Sequence, residues 1–337
     1  RGRISVAVAQ TQTPPANLEI YRLETSVVAY YPDGRKSVFP VRLHTRDTVF
    51  SFFVEQPPLF VDFDPEKAQV AVYKESKPGE YWRAQARHGE YFMQKYYAYA
   101  QLVAIEDSAR RSILVKQGLE ERYWALRKAA IEALSGDTAR EVFDAMLRLA
   151  VGDSSAKVRA AALSWFASLD YRPPTDAYRQ MLEAAVADSS YRVVALGLQL
   201  LAEADPERAV VAARQLSGLK NDDVRFAVAS IFLSAAAPEA QAFTENALRR
   251  SKDLYNKLFL IHRYGEFIKN QPEPAKRRGI AFLQSQTAPG LPTYVRLFAV
   301  RALLAFKEMP EVESFLRNLK ANEPEGTDKT YFDQIID

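Results

Sequence analysis

The chain has no cysteine among its 337 residues. Disulfides and thiolate metal sites are therefore excluded, though the compartment is not fixed by that. It has 3 histidines, His44, His88 and His262, too scattered for a zinc-binding helix that needs two of them four residues apart. No H-E-x-x-H, G-x-S-x-G, Walker loop or G-x-G-x-x-G occurs. No apolar run approaches the roughly 18 residues of a membrane span. An excess of one charge is also lacking. Residues 1–80 hold 10 basic and 10 acidic side chains, and residues 81–337 hold 35 and 32. The electrostatic footprint of a nucleic-acid binder is thus missing. The chain begins Arg-Gly-Arg with no signal peptide. The expectation is a soluble piece of a longer protein, cytoplasmic or periplasmic.

What is present first is strand. Residues 4–10 alternate larger apolar with small or polar side chains, as a half-buried strand does. Pro14, Pro15 and Asn17 break it. Residues 19–45 read as a hairpin closed by Pro32-Asp33-Gly34-Arg35, where Pro presets its own dihedral and Gly tolerates a positive one. Residues 48–55, 59–63 and 69–73 add three more strands. About six short strands with regular turns predict a small immunoglobulin-like β-sandwich over residues 1–77.

From residue 78 on the pattern is helical and repeated. Residues 153–170 read DSSAKVRAAALSWFASLD, and residues 188–205 read DSSYRVVALGLQLLAEAD. Self-similarity at a period of a few tens of residues signals stacked repeats. Tyr96, Leu126, Val158, Val193, Val224, Leu258 and Val295 serve as anchors, spaced 30, 32, 35, 31, 34 and 37 apart. Small or apolar residues follow three and four positions on, and large ones seven and eight on, such as Trp165 and Phe166. That is a helical stripe. Asp153-Ser154-Ser155, Asp188-Ser189-Ser190 and Asn221-Asp222-Asp223 stand where a helix needs a cap. A second helix fits between anchors, over 139–150, 175–186, 206–216, 239–249 and 276–285. The expected architecture is an α-solenoid of about seven HEAT-like helix pairs over residues 78–337. The unit around Leu258 fits worst, because His262 and Glu266 fall on its stripe.

Candidate chemistry is thin. Tyr91, Phe92, Tyr96, Tyr97 and Tyr99 form the densest aromatic run. It reads either as a ligand-facing wall or as packing where sandwich meets helices. Arg249-Arg250 and Lys276-Arg277-Arg278 read as solvated faces. Arg127, Arg159, Arg225 and Arg296, each following an anchor, are expected to bond neighbouring repeats or helix ends. Glu120-Glu121 and Asp222-Asp223 read as helix-start residues. No catalytic, cofactor-binding or metal residue is assigned.

Four stretches carry a family resemblance: V-A-Q-T-Q at 8–12, F-P-V-R-L at 39–43, F-V-D-F-D-P at 60–65, and Trp82 with Gln85 opening the helical part. In this order the chain resembles the C-terminal half of the aminopeptidase N family of zinc metallopeptidases (gluzincins). The family's H-E-x-x-H with its downstream Glu and its G-x-M-E-N loop match nothing here and would lie before Arg1. The resemblance implies the third and fourth domains of such an enzyme. There the helical domain forms a bowl over the catalytic domain, closes the peptide cavity and limits substrate size. It also implies that zinc belongs to the catalytic domain outside this chain, and that the partners are that domain and peptides. Two other readings stay open: a protein-interaction scaffold with no enzymatic parent activity, and a HEAT-type lyase or chaperone for a cofactor protein.

Overall fold

The structure, a computed structural model, describes residues 2–13, 20–105, 108–170 and 175–336. The break expected at Pro14, Pro15 and Asn17 lies outside the described residues. A small antiparallel β part is followed by helices throughout, in two compact units, Arg1–Tyr171 and Arg172–Asp337.

The first unit opens with β1 (Gly2–Ala9), β2 (Leu23–Tyr30), β3 (Lys36–Leu43), β4 (Asp47–Val54) and β5 (Phe60–Phe63). β1 pairs with β4 in one sheet, and β3-β2-β5 form the other. The expected hairpin is β2–β3. Its turn is closed by the Tyr31 amide on the Arg35 carbonyl, with Gly34 at φ 80°. Val27, Ala29 and Val41 of one sheet meet Ile4, Val6, Phe50 and Phe52 of the other, so alternation on each strand builds a two-sheet core. Five strands among the described residues fall short of the seven of an immunoglobulin domain. The strand expected at 69–73 does not form. β5 is only four residues long, and Asp64 then turns the chain away in the left-handed region, φ 48°. Val70 and Val72 end up in solvent with no strand beside them.

Helices follow: α1 (Gly79–His88), α2 (Phe92–Leu102), α3 (Ser108–Lys116), α4 (Trp124–Ala133), α5 (Arg140–Gly152) and α6 (Ala156–Ala167). The second unit contains α7 (Asp176–Val186), α8 (Tyr191–Ala204), α9 (Pro206–Leu216), α10 (Asp222–Ser234), α11 (Ala240–Arg250), α12 (Leu254–Lys269), α13 (Glu273–Ser285), α14 (Thr293–Leu304), α15 (Pro310–Asn322) and α16 (Thr327–Ile335). In the first unit α2 packs on α4 and α4 on α6. In the second, α8, α10, α12 and α14 form a row, each packed on the next, with α9, α11 and α13 along one side. Within each unit this is solenoid-like stacking.

All seven anchors fall on the row helices. Leu126, Val158, Val193, Val224 and Val295 are buried, and each is the third residue of its helix. Two anchors need correction. On α2 the buried stripe is Ala98, Tyr99 and Leu102, which places the anchor at Lys95; Tyr96 faces out. On α12 the stripe is Ile261, Tyr264, Gly265 and Ile268, three residues later than Leu258. α12 is longer than its neighbours at 16 residues, and the excess precedes Ile261. His262 and Glu266 then point into solvent, which removes their misfit.

The anchor-following arginines tie helix ends together. Arg127 grips Asp153, at the start of the next repeat, through Nε and Nη2, both at 2.7 Å, and donates to the Glu121 and Arg122 carbonyls. Arg159 donates to the Asp153 carbonyl. Arg225 bonds Asp222 and the Lys220 carbonyl. Arg296 donates to the Thr287 carbonyl and pairs with Glu323 and Asp328 ahead of α16 and in its first turn. Asn221 caps α10 through the Val224 amide. In the two Asp-Ser-Ser triplets Ser155 and Ser190 occupy the cap position, and Asp153 and Asp188 accept from the Ser155 and Ser190 amides.

Candidate functional site

The aromatic run sits at the start of α2. Gln94 reaches back so that its Oε1 accepts the Glu90 and Tyr91 amides, at 2.9 and 3.2 Å, which fixes the helix entry. Tyr99 turns into the core. Phe92 and Tyr96 turn out and stack at 5.7 Å, and Tyr123 meets Phe92 edge-on at 5.3 Å. Glu90, Tyr91, Phe92, Lys95, Glu121, Tyr123 and Leu126 line an open cleft of about 290 Å³. That is room for one side chain or a small apolar group.

The charges around it are already neutralised. Lys95 pairs with Glu121 at 2.6 Å, and Lys36 pairs with Glu90 at 2.7 Å. The Tyr99 hydroxyl donates to Glu121 at 2.9 Å, and its pKa is pushed up by burial first and by the Glu121 charge second. Tyr91 is pushed up by burial and by Glu66. No nucleophile faces a general base here. The run thus divides: Tyr99 packs in the core, Tyr91 and Phe92 line the cleft, and Tyr96 stacks on Phe92 at the surface. Tyr123 was missed because it lies outside the run, although the Tyr123-Trp124 pair just ahead of an anchor signals it.

Beside this cleft two of the four stretches that carry the resemblance meet, residues 60–65 and Trp82 with Gln85. Phe60 stacks on Tyr30 at 4.3 Å. Asp62, fully buried on β5, accepts from Lys77 at 2.8 Å, Lys67 at 3.2 Å and Gln94 at 2.9 Å. Glu75 completes a square, 2.7 Å from each lysine. Lys77 also donates to Gln85 Oε1 at 2.8 Å and lies over the Trp82 ring, while Gln85 donates to the Gln94 carbonyl. Two ammonium groups and two carboxylates cancel, and the neighbouring amides and carbonyls use their remaining bonds. Asp64 accepts from Tyr73, Thr25 and the Gln69 amide. Burial raises its pKa, but these bonds outweigh it and hold the carboxyl below its usual range. Tyr30 is pushed up to about 12 by burial. The knot joins strand β5 to α1 and α2, and in it Glu75 meets the two lysines as an ion pair, its buried carboxylate oxygens making no hydrogen bond of their own among the described residues.

His44, His88 and His262 are exposed on separate segments, and no group of three or more potential ligands gathers among the described residues. Arg249 lies on Phe282, and Lys276 and Arg277 pair with Glu273. Asp222 and Asp223 stand in the first turn of α10, Asp222 also accepting the Lys252 amide, whereas Glu120 pairs with Arg148 and Glu121 with Lys95, so the Glu120-Glu121 pair does not serve the start of α4. No helix of the described residues is long and apolar enough to cross a membrane.

No protein-family model matches the chain, and no curated protein matches it in sequence. Among solved structures it is similar to the complex of CpcE and CpcF of phycocyanin lyase from Nostoc sp. PCC7120, with 16% identity and a TM-score of 0.46, over 75% of this chain and 98% of that one. It is also similar to Legionella pneumophila aminopeptidase A in complex with aspartic acid, with 12% identity and a TM-score of 0.48, over 98% of this chain. The chain spans 47% of the length of that aminopeptidase.

Proposed function

We propose that this chain is the non-catalytic C-terminal region of a zinc aminopeptidase of the aminopeptidase N family. Its role is to shape and gate the peptide cavity and to stabilise the catalytic domain. One observation carries the reading. The residues that resemble the family, Asp62, Asp64, Trp82 and Gln85, are those that build or flank the knot holding the sandwich to the first helices. A part that closes over another domain needs such a stiff joint. The outward face of β4, with Val49 and Phe53 at 66 and 78% exposure, offers that domain an apolar surface. Zinc and the peptide-cleaving groups belong to the catalytic domain, and the whole enzyme works in the cytoplasm or periplasm.

The coding sequence upstream of Arg1 tests this. It should contain H-E-x-x-H with a Glu about twenty residues later, the pattern of a zinc-binding helix and its third ligand. An upstream region without it sinks the reading. The purified chain should not hydrolyse aminoacyl p-nitroanilides with or without added zinc. A second reading, a protein-interaction scaffold with no enzymatic parent, is favoured by the exposed rings on the row helices of the second unit, and that same upstream sequence separates the two.

A further inference from the structure

The row helices of the second unit each turn one stripe away from the core, and aromatics and arginines recur on it. Phe226 on α10 and Phe259 on α12 meet at 5.3 Å, so the stripes join across helices. The early part of α12 carries Tyr255, 74% exposed. The Arg263 guanidinium lies over Phe259 at 5.7 Å and donates to Ser234 Oγ at 2.5 Å. On α14, Arg301 lies over Phe298 at 5.9 Å. Neither arginine meets a carboxylate among the described residues, unlike Arg208, Arg214 and Arg225 of the same unit. Arg263 gives Nη2 to Ser234 and so keeps Nε and Nη1 for a planar anion, and Arg301, exposed beside Phe298, offers its whole guanidinium.

We propose that this face binds an extended polypeptide segment in which carboxylate side chains alternate with apolar ones. The rings take the apolar groups, and Arg263 and Arg301 take the carboxylates in forked, charge-assisted bonds. A single-stranded nucleic acid also stacks on rings and arginines. It needs a broad positive field, however, and residues 172–337 hold 22 basic against 21 acidic side chains. Two arginines among rings, with the one nearby carboxylate on α12, Glu266, already paired with Lys269, suit a polypeptide with a few carboxylates. The inference stands whether or not the parent protein is an aminopeptidase.

The test uses the full chain and a fluorescein-labelled peptide of repeated Gly-Glu-Phe triplets, its Gly-Lys-Phe counterpart, and labelled oligouridylate, followed by fluorescence anisotropy. The Glu peptide should bind saturably. Arg263→Glu with Arg301→Glu should weaken it by about tenfold or more, while Arg278→Glu, outside this face, should not. If the double reversal lowers the melting temperature, Arg301→Gln on an exposed side chain should still weaken binding by about threefold. Undiminished binding in these variants, preference for the Lys peptide, tighter binding of oligouridylate, or no saturation by about 1 mM Glu peptide would each overturn the proposal.

Discussion

Single side chains show how tightly the repeats are specified. Trp165 is buried against Phe143 and Phe166, and its indole N–H donates to the Leu134 carbonyl at 3.0 Å. Trp165→Ala should cost about 3–5 kcal/mol in urea melts; a loss under about 1 kcal/mol would show that the site is not a core position. Gly265 lets α12 and α14 approach closely, since a Cβ there would stand 2.8 Å from the Ala302 Cβ. Gly265→Ala should destabilise by about 1–3 kcal/mol. Adding Ala302→Gly should recover part of that, and strict additivity of the two changes would refute the contact. Asp64 gives a pH signature. Its folded pKa lies below that of an unfolded Asp, so its contribution is complete above about pH 5 and is lost as acid protonates it in the folded state. Asp64→Asn should therefore flatten the stability profile between about pH 5 and pH 2, and an unchanged acid limb would contradict the assignment.

At the scale of elements, the helices were legible because burial repeats every turn. The second helices expected at 175–186 and 206–216 match α7 and α9 to within a residue. Register was harder. The extra length before Ile261 in α12 leaves no mark in spacing alone, so Leu258 looked like the anchor until burial identified Ile261. The strand expected at 69–73 failed for another reason: V-A-V-Y has strand character, but a strand needs a neighbour, and sequence does not say whether one is free. The cleft was half visible, Tyr91 and Phe92 in one run and Tyr123 far along the chain. The charged knot was not legible, because Asp62 sits inside a strand and Lys67, Glu75 and Lys77 look like ordinary turn residues until folding buries them together. Asp62→Ala should leave both buried lysines with Glu75 as their one shared carboxylate and cost about 3–5 kcal/mol. Near-native stability in that variant would mean that water reaches the knot.

For the molecule as a whole, two compact units with cores of their own predict more than one step in calorimetry. Trp165→Ala lies in the first unit and should lower one transition while leaving the other in place. A single peak that moves bodily would show that the units melt together. The row in the second unit has one more consequence. Every helix in it leans on the helix just before or after it and on the next but one, so its long-range order is assembled from short loops. Such a chain closes small entropic gaps one after another instead of a large one at the outset, and speed of this kind belongs to folds of low contact order. After dilution from denaturant the second unit should regain its helical signal within milliseconds, module beside module, in the manner of a zip fastener.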